Sequence, residues 1–282
     1  MNKKDVQLIL KELNIVPKKQ LGQNFLFDKN TIDKIISEAE ISKDDVILEI
    51  GPGLGALTEK IIDKAKKVYA IEIEKSFCSY LKDKFSISNN IEIIHGDILE
   101  IDLPHHNKVV SNIPYSITGP ILEKVFFKEN PPCGILTIEQ NLADRIFFQG
   151  DYSNFSRITV SVNTFMIPIK KSKISQRCFY PAPNIDLCLI KLNPKLNIDP
   201  FLMEENSIKF FLNFIAGIMP YKNKNIVNAI ELYFKNNKDL DFKKNDISHI
   251  LKIGSYENNK LFNFKIHDFL EIAKIIYNWN YN

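Results

Sequence analysis

The apolar strand Val46-Ile47-Leu48-Glu49-Ile50 runs straight into Gly51-Pro52-Gly53-Leu54-Gly55-Ala56, and a helical pattern through Leu57, Ile61 and Ile62 follows at once. A strand, a glycine turn and a helix in direct succession leave few architectures open. Glycines without Cβ atoms let the backbone turn sharply and let a ligand come close to it. The rhythm then repeats, with apolar strands near 46, 68, 91, 108 and 134 and helical patterns between them up to about residue 148. Alternation of this kind predicts a mostly parallel, doubly wound sheet. Such sheets bind ligands at the carboxyl ends of their strands, so the residues that end each strand are the ones to weigh.

With Ala56 in the last slot, the turn satisfies the dinucleotide fingerprint G-x-G-x-x-G/A, and Glu72 ends the next strand, Val68-Tyr69-Ala70-Ile71. A carboxylate there grips a ribose diol in a nicotinamide site or in an S-adenosylmethionine site alike. Two further carboxylates discriminate. Glu49, just before the glycines, would crowd a pyrophosphate but tolerates a cationic ligand. Gly96-Asp97 follows the third strand, Ile91-Glu92-Ile93-Ile94, where a carboxylate can accept from an adenine amine. The combination selects S-adenosylmethionine.

The fourth strand end carries the chemistry. Asn112-Ile113-Pro114-Tyr115 follows Lys108-Val109-Val110-Ser111. The exocyclic amine of adenine is a poor nucleophile because its lone pair is delocalised into the ring. Accepting both amine hydrogens from one side draws the nitrogen toward tetrahedral geometry, and the Asn112 side-chain oxygen with the Ile113 carbonyl can do so. Pro114 stiffens the turn and adds no competing donor. Tyr115 offers a flat face for an extruded base.

In these segments the chain resembles the rRNA adenine N6-dimethyltransferase family, most closely its small-subunit (KsgA-type) branch. The segments are Leu21-Gly22-Gln23-Asn24-Phe25-Leu26, Leu48 to Gly55, Ala70-Ile71-Glu72, Gly96-Asp97, Asn112 to Tyr115, and Phe179-Tyr180-Pro181-Ala182-Pro183. They lie in family order over roughly the first two-thirds of the chain. The resemblance implies a Rossmann-like class I S-adenosylmethionine-dependent methyltransferase domain, α/β with a seven-stranded, mostly parallel sheet, followed by a small C-terminal helical domain. It implies that Gln23, Asn24 and Leu26 close over the methionine end of the cofactor, and that Gly51 and Gly53 line the turn beneath it. Glu72 would take the ribose, Asp97 with Ile98 the adenine, and Asn112 the target amine. Phe179 would stack on the base opposite Tyr115. The sequence departs from the family at Glu139-Gln140-Asn141, Ser156, Leu187 and the arginine-poor stretch Pro220 to Lys224, positions that bear on RNA choice more than on chemistry.

Pro194 and Pro200 bracket a linker, and the strand-poor, helical pattern beyond it (Phe210, Phe214, Ile218, Ile226, Ile230, Phe269, Ala273, Ile276) sets the expected boundary: a catalytic domain over 1–192 and a helical RNA-recognition domain over 193–282. A net charge of +3 permits a nucleic-acid partner without announcing one. Lys18, Lys19, Lys170, Lys171, Lys173, Lys222 and Lys224 are the basic positions expected near RNA, with the group at 170–173 positioning phosphates just ahead of the Phe179 loop. The four cysteines show no metal or disulfide spacing and read as reduced packing thiols. No metal is expected. With neither a signal peptide nor a run long enough to cross a bilayer, the expectation is a cytoplasmic monomer acting on small-subunit rRNA in immature subunits. The rivals are an Erm-type large-subunit methyltransferase, a non-catalytic ribosome-assembly or transcription factor on the same fold, and a nicotinamide oxidoreductase. The last would leave Asp97, Asn112 and Phe179 idle.

Overall fold

The structure, a computed structural model, describes residues 1–18, 22–150, 152–236, 244–253, 256 and 259–281. Lys19 and Leu21 lie outside the described residues. The chain divides into two compact units.

The first unit comprises Met1–Phe126, Asn130–Asp144 and Ile167–Pro194. Its helices are α1 (Lys3–Glu12), α2 (Lys29–Ala39), α3 (Thr58–Ile62), α4 (Lys75–Lys84), α5 (Thr118–Phe126) and the start of α6 (Gln140–Ile146). Its strands are β1 (Phe25–Leu26), β2 (Val46–Ile50), β3 (Lys67–Glu72), β4 (Ile91–His95), β5 (Lys108–Asn112), β6 (Cys133–Glu139), β7 (Met166–Ile174), β8 (Phe179–Tyr180) and β9 (Leu187–Pro194). Seven of them form one sheet in the order β4-β3-β2-β5-β6-β9-β7. The five from β4 to β6 run parallel, and β9 returns antiparallel to β6 with Leu136 opposite Ile190. The expected α/β class and seven-stranded, mostly parallel sheet are therefore present.

Strand order reverses between β2 and β5, since β3 and β4 build outward on one side of β2 and β5 and β6 on the other. A crevice opens at such a switch point, above the carboxyl ends of the strands. The two central strands are fastened there by Ser111 Oγ, which donates to the Ile50 carbonyl at 2.5 Å. At their opposite ends Lys108 Nζ donates to Asp45 (2.9 Å) and to the Ala39 and Glu40 carbonyls (2.9 and 3.0 Å). This closes the C-terminus of α2, where orphan carbonyls need partners. Four of the five β2 residues are buried, and Ile47 and Val68 share a core with Ile35 and Ile36 of α2 and with Phe179. The apolar stripe of α1, Val6 and Leu10, packs on Phe25, Leu54 and Phe77.

Two details differ from expectation. Strand β7 runs on to Ile174, so Lys170, Lys171 and Lys173, expected only as a basic group ahead of the Phe179 loop, are strand residues. They sit on an edge strand, where exposed lysines carry no apolar signal and discourage pairing with other chains. The other is a separate two-stranded sheet, in which β1 pairs antiparallel with β8 and Phe25 faces Tyr180 across the ladder.

The second unit comprises Phe127–Glu129, Arg145–Met166 and Lys195–Asn282. It holds α7 (Arg157–Phe165), α8 (Glu205–Ile218), α9 (Ile226–Asn236), α10 (Lys244–Ile253) and α11 (Ile266–Tyr281). The expected boundary at 192 is thus corrected, because α7 and the segment before it belong with the later helices. Phe155 packs its ring against Phe262 and Phe269, and Phe165 against Phe211. Aromatic burial, not chain order, decides the membership.

Candidate active site

One cleft at the carboxyl edge of the parallel strands gathers Gln23, Asn24, Leu26, Gly51, Gly53, Glu72, Asp97, Ile98, Asn112 and Pro114. They arrive from β1 and the segment before it and from the ends of β2, β3, β4 and β5, as the switch-point geometry requires. Gly51, Gly53 and Gly55 take φ values of +64°, +57° and +77°, which residues with a Cβ rarely adopt. A Cβ on Gly53 would press on the Phe25 ring at 3.1 Å, and one on Gly55 would meet Leu81 at 2.9 Å.

The carboxylates are held by backbone. Glu72 is buried; one carboxylate oxygen accepts from Gly53 N (3.1 Å) and the other from Glu74 N (3.0 Å). Both keep lone pairs for a diol. Burial nonetheless pushes the Glu72 carboxyl above its ordinary range. Asp97 accepts from Leu99 N at 2.8 Å and so sits in a tight turn. Glu49, only 2% exposed, lines the cleft floor, and its Oε2 has no hydrogen-bond partner among the described residues. Burial, with the Glu72 charge added, pushes the Glu49 carboxyl up to about 8.

At the β5 end, Asn112 Nδ2 donates to the Asn24 carbonyl (3.3 Å) and the Tyr115 hydroxyl donates to Asn112 Oδ1 (3.2 Å). These two bonds fix which side of the amide presents oxygen. Burial raises the Tyr115 hydroxyl well above its ordinary value, so it stays a donor. Ile113 is fully buried, backbone included, and unlike Asn112 and Pro114 on either side of it does not line the cleft. Pro114 packs close to Gly51 and Gly22, with Cβ positions on those glycines falling 3.7 and 3.6 Å from its atoms.

Several expected residues sit otherwise than foreseen. The Phe179 ring is only 2% exposed, inside the core with Leu26, Ile174 and Leu187, and does not line the cleft. An apolar ring next to a half-buried neighbour goes inward, and Tyr180 is that neighbour. Lys18 pairs with Glu74 (2.6 Å), Lys170 with Glu38 and Lys171 with Asp144 (2.8 Å), while Lys222 Nζ donates to the Phe155 carbonyl (2.8 Å). Their charges are partly spent within the protein. The Gln23 side chain accepts from Lys18 N at 2.7 Å and fastens the arm that carries it. Ile73, half exposed beside Glu72 in the cleft, escaped the sequence reading. Its one available signal was an apolar residue just past a strand end.

The donor set suits S-adenosylmethionine. A buried carboxyl at the floor with one oxygen free of hydrogen bonds is readily ionised by a cationic ligand, and it offers a pyrophosphate no compensating positive charge. A backbone-oriented carboxylate at Glu72 and a second acceptor at Asp97 complete the fit. Comparison with known proteins agrees: the family model "Ribosomal RNA adenine dimethylase" matches residues 16–276. The chain belongs to the ribosomal RNA adenine dimethylase family. A probable ribosomal RNA small subunit methyltransferase A of Methanococcoides burtonii is 35% identical over 90% of this chain and 92% of its own length. A ribosomal RNA small subunit methyltransferase A of Borrelia garinii is 33% identical over 95% of this chain and 92% of its own. Among solved structures, a dimethyladenosine transferase from Plasmodium falciparum superposes with a TM-score of 0.73 at 26% identity, covering 91% of this chain and 98% of that one. The 23S rRNA methyltransferase ErmE, at 24% identity and a TM-score of 0.63, shares the fold. As a ribosomal RNA adenine dimethylase the chain is an S-adenosylmethionine-dependent methyltransferase. Among the described residues, no helix is long and apolar enough to cross a membrane.

Proposed function

We propose that this dimethylase transfers two methyl groups to N6 of adenosines in small-subunit rRNA of immature ribosomal subunits, acting as a cytoplasmic monomer. The observation that carries the reading is the Asn112 amide, held with its oxygen defined at the mouth of the cleft that also contains Glu72 and Asp97. The relatives named as small-subunit methyltransferases support the choice of RNA.

When bound, S-adenosylmethionine supplies an already activated sulfonium methyl group. The chain's residues do the rest by placement and charge. Glu72 would hold the ribose diol and Asp97 the adenine amine, with Ile98 and Ile73 as apolar walls. Glu49, protonated in the empty cleft near neutral pH, would ionise beside the cationic ligand and offset its charge. Gln23, Asn24 and Leu26 would close the methionine end over Gly51 and Gly53. Asn112 Oδ1 and the Ile113 carbonyl would accept from the target amine and stabilise the positive charge that builds on nitrogen in the transition state, where binding energy raises the rate. No strong general base is needed, since the proton leaves after nitrogen has become cationic. Pro114 keeps the turn stiff. The substrate base must leave its stack, which unpaired RNA makes cheap. Stacking by Phe179 would require its ring to leave the core, whereas Tyr115, packed at the edge of that core, and Tyr180 are each only partly buried.

The test is to map N6-methylated adenines in ribosomal RNA from a strain lacking the protein and from the complemented strain, with purified protein assayed on immature small subunits and on large-subunit RNA. Loss of dimethyladenosine confined to small-subunit RNA is expected. Loss confined to large-subunit RNA would replace the proposal with the Erm-type activity.

A further inference from the structure

After β4 the chain makes a compact turn. Leu99 N is taken by the Asp97 side chain, and Glu100 N and Ile101 N donate to the Asp97 carbonyl at 3.0 and 3.1 Å. The turn's donors are thereby directed back onto Asp97. Two of its carbonyls are taken from outside: Lys124 Nζ, on α5, donates to Leu99 O at 2.8 Å and to Ile101 O at 2.7 Å. Both bonds are part-buried, and a charged donor to a carbonyl in such a setting is stronger than a neutral pair. The turn has little freedom beneath as well, because Ile101 fills the space where a Cβ on Gly96 would stand, 2.8 Å away. Lys124 lies within the helical run that begins at Tyr115, directly after Asn112-Ile113-Pro114.

We infer that Lys124 is a positioning residue for the cofactor's purine, clamping the 97–101 turn so that the Asp97 carboxylate is preset to accept from the adenine amine. The inference deepens the functional reading above and rests on its assignment of Asp97. Its physical basis is that a carboxylate on an unclamped turn must be ordered when the ligand binds, at a cost in affinity, whereas a clamped one is ordered beforehand. The clamp also ties the adenine end of the cleft to the helix that follows the amine acceptor Asn112 in the chain.

The experiment compares calorimetric affinities of the full chain for S-adenosylhomocysteine and for S-inosylhomocysteine, which carries a 6-oxo group in place of the amine. Lys124→Met keeps the apolar stem and removes the donors. It should reduce the adenosyl-over-inosyl preference by about tenfold, mostly through weaker adenosyl binding, with inosyl affinity nearly unchanged. Lys124→Arg, which keeps two donors, should retain most of the preference. Lys124→Gln keeps an uncharged amide donor group and gives an intermediate value should the Met variant not fold. A lysine that only held a surface turn together would lower the melting temperature and leave the preference intact, and that result overturns the inference. Asp97→Asn separates the two readings. If it erases the preference while Lys124→Met and Lys124→Gln do not, Lys124 has no part in purine recognition. If Asp97→Asn leaves the preference untouched, the assignment of Asp97 fails and the role of Lys124 fails with it.

Discussion

Asn112 is the residue on which the chemistry turns, and both of its side-chain atoms are already engaged, Nδ2 by Asn24 O and Oδ1 by the Tyr115 hydroxyl. Truncating it removes an acceptor used at the reacting nitrogen and leaves Glu72 and Asp97 in place. Asn112→Ala is expected to slow methyl transfer by about 10²–10³, by analogy with the loss of one oxyanion-hole donor. Cofactor affinity measured by calorimetry should stay near the wild-type value, and near-normal turnover would remove Asn112 from the mechanism. Glu49 makes a different prediction. Its carboxyl is raised from 4.5 to about 8 in the folded protein, so the folded state holds a proton that the unfolded chain releases. The stability this contributes is fully present below 4.5, declines as pH rises, and is gone above about 8. The ligand-free melting temperature should therefore fall across that window. Glu49→Gln should flatten the slope without abolishing it, because Glu72 is shifted in the same direction. An unchanged slope in the variant would show that Glu49 ionises normally.

Among the elements, the β2–α3 turn is the most demanding, since three glycines with positive φ follow one strand. Gly55→Ala would place a methyl 2.9 Å from Leu81 and 3.0 Å from Phe85 in a backbone conformation that alanine avoids. The strain and overpacking together should cost about 2–4 kcal/mol, read as a lowered midpoint in urea unfolding. A midpoint unchanged from wild type would mean that α4 yields easily. This element was legible in sequence, as were β2 to β6, because buried parallel strands are continuous apolar runs between turn residues. The strand ends that place Gly51, Glu72, Asp97 and Asn112 in one cleft followed from the same runs. What stayed hidden has physical reasons. The far half of β7 is an edge strand of lysines with no apolar period to detect. Strands β1 and β8 are two residues each, too short for a pattern. Phe179 sits among prolines that suggest exposure, yet a phenyl ring has more to gain from the core than the tyrosine beside it.

For the whole molecule, the assignment of α7 to the helical unit changes how the protein can be divided. A chain ending at Pro194 keeps every cleft residue but leaves Phe155 and Phe165 without Phe262, Phe269 and Phe211. Such a truncation should bind a hydrophobic dye and melt lower than a version in which a short linker also replaces residues 145–166. Equal behaviour of the two would show that α7 is stable without its later partners. RNA and cofactor should also differ in their response to salt. Affinity for RNA built on phosphate contacts falls steeply as counterions compete, while the small cofactor cleft should respond weakly. Parallel salt titrations of filter binding and calorimetry check this, and a flat RNA curve would argue for recognition through bases alone.

Much of the cleft is gripped by main-chain groups: the Asn24 carbonyl on Asn112, Gly53 N and Glu74 N on Glu72, and Leu99 N on Asp97. An alanine scan is blind to such contacts, because it leaves the peptide groups where they were. Positions 24 and 99 would look less involved than they are. An amide-to-ester replacement that deletes only the Leu99 N–H would expose what side-chain truncation conceals. It also follows that positions such as 74 and 99 can drift in sequence while the site persists, since their part in the specification is written in the path of the backbone and only sparingly in the letters along it.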